Sequence, residues 1–110
     1  MEPALPAPDP ARLRQAAGAV SATLFALANE NRLLLLCQLC KGEKSVGELE
    51  RLLDIHQPTL SQQLGVLRAE GLVRTRREGK RIYYAVGDPK LHRLLATLLD
   101  LYCPPEDPQP

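Results

Sequence analysis

Three cysteines carry the most reactive chemistry in this 110-residue chain: Cys37 and Cys40, spaced C-x-x-C, and Cys103. Neighbouring thiols can hold a metal, run a dithiol–disulfide couple, or lie inert in a core. A zinc site needs a second ligand pair, and none is offered, because His56 and His92 are isolated imidazoles. Thioredoxin-like chemistry needs the first cysteine at a helix N-terminus, where the dipole lowers its pKa. Cys37 instead follows the run Leu33-Leu34-Leu35-Leu36, and Cys40 reads as a small hydrophobe. Cys103 stands just before Pro104-Pro105, an odd place for a packing cysteine.

The other chemically pointed residues are polar and basic, and they lie between Ser45 and Val86. Ser45 and Glu48 form an S-x-x-E capping box opening a helix with Val46, Leu49, Leu52 and Leu53 on one face. Asp54-Ile55-His56 is a turn, and Gln57-Pro58 restarts a helix with proline at its first position. Leu60, Leu64 and Leu67 make a buried stripe; Gly71 ends the helix as a left-handed cap. This is a helix–turn–helix, and the first half of its second helix presents Gln57, Thr59, Ser61 and Gln62. Glutamine can pair with adenine N6 and N7, and serine or threonine can serve several bases, so these four are the candidate readers of a major groove. From Arg68 to Arg81 the charge is +4 in a chain of net +1, leaving −3 elsewhere. Arg76, Arg77, Lys80 and Arg81 are the candidate phosphate contacts, setting affinity rather than sequence preference.

These residues must be held by a small, leucine-built core. Hydrophobic residues make up 45%, and the aromatics are Phe25, Tyr83, Tyr84 and Tyr102 alone. The length suits one domain. Residues 1–10 and 104–110, rich in proline, are expected to be disordered, with an ordered domain over 11–103. Ala11–Leu27 is an amphipathic helix with an alanine-rich face, and Asn29 caps a helix over Glu30–Cys40 whose leucine run is expected at the centre of the core. Lys41–Lys44 is an exit turn. Leu72–Arg77 and Arg81–Val86 are antiparallel strands around Glu78-Gly79. Asp88 and Pro89 start a last helix with more apolar surface than one small domain buries. That excess, with the alanine face of the first helix, predicts a homodimer. The fold class is mainly α with a two-stranded β-hairpin wing, a winged helix–turn–helix. No membrane span or signal peptide is seen, and the odd cysteine count suits reduced thiols in a cytosol.

LANENRLLLLCQL, SVGELERLL, QPTLSQQLGVLRAEGLVRTRREGKRIYYAV and the closing leucine helix resemble the ArsR/SmtB family of bacterial repressors, over about Val20–Cys103. Gln63 departs from the pattern, standing where many members carry histidine. QPTLSQQLGVLR with Cys37 and Cys103 is most similar to the sulfide- and persulfide-sensing, BigR/SqrR-like subgroup. The resemblance implies a cytoplasmic, nucleoid-associated repressor rather than an enzyme, a dimer on palindromic double-stranded operator DNA, without a cofactor. Neither usual metal site of the family is intact. The first helix of the helix–turn–helix has no thiol or imidazole, and in the last helix Asp88 survives while Lys90 and Leu101 fall at ligand positions. The subgroup further implies that Cys37 and Cys103 form the sensor, linked by reactive sulfur species or oxidant. Two alternatives remain at this point: a metalloid sensor using Cys37, Cys40 and Cys103, and a thiol oxidoreductase using C-x-x-C.

Overall fold

The computed structural model describes residues 8–103; the two proline-rich ends lie outside these residues, except that Asp9 and Pro10 of the expected arm open the first helix. Helix α1 (Pro10–Leu27) starts there because the Asp9 carboxylate accepts the Arg12 N–H at 3.0 Å and proline suits the first turn. Asn29 caps α2 (Glu30–Leu39) by accepting the Arg32 N–H, also at 3.0 Å. Strand β1 (Lys44–Ser45) leads into α3 (Val46–Leu53), whose capping box is complete: Ser45 Oγ accepts the Glu48 N–H, and the Glu48 carboxylate accepts the Ser45 N–H. Then come α4 (Thr59–Ala69), β2 (Val73–Glu78), β3 (Arg81–Val86) and α5 (Lys90–Tyr102).

The sheet is antiparallel in the order β1-β3-β2, so the expected two-stranded wing is a hairpin extended by a third, short strand. Lys44 and Ser45 pair with Tyr84 and Tyr83. Two residues carry no period-2 pattern, which is why the sequence shows only a turn there. The hairpin bends at Gly79, whose φ of 62° supplies the left-handed residue a two-residue turn requires, and Gly71 takes φ 73° at the end of α4.

The core is leucine, as its composition demands. Leu35, Leu36, Leu49, Leu60, Leu64, Leu67, Leu91 and Leu95 are fully buried, uniting α2, α3, α4 and α5. Each contributes about 1.5–3 kcal/mol through burial. The run of α2 is not buried all round: Leu34 is 40% exposed and Cys37 half-buried, because successive helical residues turn through a full circle and only one side meets α4. Most of the exposed large apolar residues lie on the two terminal helices, with Leu34 of α2 and Leu52 of α3 besides. Residues 10–22 of α1 are exposed, Leu13, Val20, Leu24 and Phe25 with large apolar area, while α5 exposes Leu99, Leu101 and Tyr102.

Candidate nucleic-acid interface and thiol pair

The recognition helix α4 begins at Thr59, one residue later than the proline spacing suggests. Pro58 sits just outside the helix, joined to Gln57 by a cis peptide bond. The side chain of Gln57 does the capping, its Oε1 accepting the Ser61 N–H at 3.2 Å. The Leu60 N–H donates to the His56 carbonyl at 3.0 Å, so two donors of the first turn are satisfied and Gln57 is partly occupied. Leu60, Leu64 and Leu67 anchor the inner stripe, while Ser61 and Gln62 stand exposed and Thr59 is half-buried. The turn before α4 is braced locally: Asp54 takes φ 54° at the end of α3, and His56 Nε2 donates to its carboxylate at 2.7 Å. His56 therefore has an ordinary structural partner. Gln62→Ala should cost roughly 1–3 kcal/mol on an operator and little on random DNA. An equal loss on both would assign Gln62 to phosphate.

The wing separates its four candidates. Arg77, Lys80 and Arg81 are exposed. Cross-strand pairing puts Arg77 opposite Ile82 and Arg81 opposite Glu78, so alternation sends Arg77 and Arg81 to different faces of the hairpin, with Lys80 at its tip. Arg76, the fourth candidate, is paired within the fold. Its Nη2 and Nε donate to the Glu43 carboxylate at 2.7 and 3.1 Å, its Nη1 donates to Glu78 at 2.7 Å, and the guanidinium lies 4.7 Å over the Tyr83 ring. These bonds hold the Glu43 carboxyl below the usual carboxylate range and push Arg76 up. Two carboxylates offset its charge, and it braces the wing against the turn after α2.

Sequence reasoning missed two arginines. Arg51 of α3 joins Lys80 and Arg81 around a groove of about 630 Å³ between the start of α3 and the wing. None of the three pairs with an acidic side chain among the described residues. The second is Arg32, buried between α1 and α4, whose charge in the first turn of a leucine helix was the only sign available. Changing Arg77 and Arg81 together to alanine should weaken operator and random DNA alike. The slope of log affinity against log salt should flatten by about 0.9 per lost contact. Loss confined to the operator with an unchanged slope would contradict a phosphate role.

Cys37 and Cys40 are half-buried in and at the end of α2, and Cys103 is exposed at the end of α5. Burial pushes the Cys37 thiol up, and the nearby charge of Cys103 pushes it further, while Lys41 pulls it down. Cys40 is raised by burial and by Cys37. Leu33 of α2 faces Leu95, Leu98, Leu99 and Tyr102 of α5 across an apolar groove of about 300 Å³. Cys40 occupies the C-cap of α2, where the dipole disfavours a thiolate, the reverse of the thioredoxin arrangement. Among the described residues no three His, Cys, Asp or Glu side chains converge as metal ligands.

Known proteins agree with this geometry. The profile of the bacterial regulatory protein, arsR family, matches residues 29–75, from the cap of α2 into β2. The biofilm growth-associated repressor of Agrobacterium fabrum is 54% identical over 88 residues, covering 80% of this chain and 75% of the relative. The chain belongs to the ArsR family. Solved structures of the family superpose closely. The transcriptional repressor BigR from Xylella fastidiosa gives a TM-score of 0.82 at 44% identity, over 86% of this chain and 97% of that one. Reduced HlyU from Vibrio cholerae N16961 gives 0.79 at 38% identity, over 84% and 98%. An ArsR-family chain with this winged helix–turn–helix is a DNA-binding transcriptional regulator, not an enzyme. Among the described residues no helix is long and apolar enough to cross a membrane.

Proposed function

We propose that this ArsR-family chain is a cytoplasmic repressor that binds a two-fold-symmetric operator as a homodimer and releases it when reactive sulfur species link Cys37 to Cys103. Thr59, Ser61 and Gln62 read bases, with Gln57 shaping the start of their helix. Arg77, Lys80 and Arg81 hold phosphates. The exposed apolar faces of α1 and α5 pack against a second copy, setting two α4 helices about one turn of DNA apart.

The observation that carries the switch is the placement of the two thiols. Cys103 is exposed at the end of α5, next to Tyr102, and Tyr102 lines one apolar groove with Leu33 of α2, the helix that holds half-buried Cys37. Solvent-borne sulfane sulfur reaches Cys103 first. Its thiolate attacks the outer sulfur of a persulfide RSSH, giving Cys103–S–SH and releasing the thiolate RS⁻. The Cys37 thiolate then attacks the Cys103 sulfur and expels hydrosulfide, leaving a disulfide; donors with longer sulfur chains leave extra sulfur atoms in the bridge. A bridge of either length ties the end of α5, a helix of the proposed dimer interface, to the core. The angle between the two recognition helices changes, and operator affinity falls.

The test is peptide mapping by mass spectrometry after persulfide treatment, with operator binding followed on the same samples. A Cys37–Cys103 cross-link that rises as DNA is released, with Cys40 still free to alkylate, is the expected result. Release of DNA without that cross-link would overturn the reading.

A further inference from the structure

Arg32 is the one polar or charged side chain buried among the described residues, 9% exposed, and all three of its side-chain nitrogens are used. Nε donates to the Ala26 carbonyl at 2.6 Å and Nη2 to the Phe25 carbonyl at 3.1 Å, both in the last turn of α1. The guanidinium also lies 5.9 Å from the centre of the Phe25 ring. Nη1 reaches the other way and donates to Gln63 Oε1 of α4 at 2.8 Å. A single planar group on α2 therefore joins the end of α1 to the recognition helix.

Leu60, Leu64 and Leu67 of α4 are buried in an apolar core of leucines with Ala26, Ile55 and Val73. Apolar contact resists separation but has little directionality, so it leaves the rotation of a helix loosely set. A charge-assisted hydrogen bond from a rigid fork is directional and strengthened by burial. Gln63 is half-buried, next to exposed Gln62 and one residue before buried Leu64. Its bond to Arg32 fixes which way that part of α4 faces.

We propose that Arg32 and Gln63 are a positioning pair: without touching DNA, their bond sets the orientation of α4 relative to α1, and operator selectivity depends on it. Because α1 carries an exposed apolar face, the same bond joins the position of that helix to the base-reading surface. The inference rests on α4 as the recognition helix of this family and is independent of the thiol switch.

The full-length protein should be compared with two Gln63 variants chosen to avoid the folding risk of touching buried Arg32. Gln63→Met is close in size and lacks the acceptor; Gln63→Glu keeps an acceptor in place. Binding to the operator and to random DNA is measured over one series of salt concentrations. Thermal melting and sedimentation are measured in parallel. Gln63→Met should lose about tenfold in the operator-to-random affinity ratio, about 1.4 kcal/mol, with dimerisation and salt slope unchanged. Gln63→Glu should weaken both DNAs by added negative charge while keeping the ratio of the parent. A ratio unchanged in Gln63→Met, even with a lowered melting temperature, would reduce the pair to ordinary packing and overturn the proposal. Loss of the ratio in both variants alike would make Gln63 a base reader, and equal losses on both DNAs in Gln63→Met would make it a phosphate contact; either result overturns the positioning role.

Discussion

Glutamate at both Val20 and Leu24 should turn the protein into a folded monomer that holds its operator at least a hundredfold more weakly, about 2.7 kcal/mol. The two residues lie one turn apart on α1 and are 53% and 51% exposed in the single chain, so the change costs the isolated fold little. In a dimer they would be pressed against a second copy, where an unpaired charge is expensive to bury. Ala16, Ala19, Val20 and Leu24 of α1 already form one wall of an apolar groove whose other wall includes Leu91 and Leu94 of α5, and the groove stays open in one chain. Loss of the second half-site, rather than loss of any DNA contact, is the cause of the weakening. Analytical ultracentrifugation alongside operator titration checks both halves. A variant that still sediments as a dimer would place the interface elsewhere.

Serine at either Cys37 or Cys103 should leave operator binding by the reduced protein intact and abolish its loss on persulfide treatment. Cys40→Ser should respond as the parent does. Position separates the three. Cys103 sits on the exposed end of α5 and Cys37 within α2, so a bond between them couples two elements. Cys40 caps the helix that holds Cys37, and a bond between those two stays within α2. Only the thiolate attacks, and burial pushes the Cys37 thiol up, so closure of the bridge should accelerate as pH rises through and past the ordinary thiol range. Band-shift titrations of the three variants with and without persulfide give the answer. Persistent release in both the Cys37 and Cys103 variants, or loss of response in Cys40→Ser alone, would contradict the dithiol switch.

Much of this architecture was legible because its signals are local. The Ser45–Glu48 capping box, the Leu60, Leu64, Leu67 stripe and the glycine-turned hairpin over Val73–Val86 are each one continuous stretch of chain, and each appears where its spacing requires. What the sequence hid depends on partners far along the chain. Arg76 looks like any other wing cation until Glu43, 33 positions earlier, is seen beside it. Arg32 gains its role from Gln63, 31 positions later, and no periodicity announces such a pair. The start of α4 shifted for a smaller reason: proline tolerates a first helical position, but here Pro58 precedes it and the Gln57 side chain caps the turn. The exposure of Leu34 is geometric, since a five-residue apolar run on a helix must turn part of itself outward.

The central claim, that a Cys37–Cys103 bond governs DNA binding, is tested most directly by titrating one labelled operator with a single preparation in two states at fixed salt. The first state is fully reduced, and the second is bridged by persulfide and verified by intact mass. The account predicts that bridging weakens binding by roughly 5- to 150-fold, about 1–3 kcal/mol, and that dithiothreitol restores it. Bridged and reduced protein binding the operator with equal affinity would contradict it.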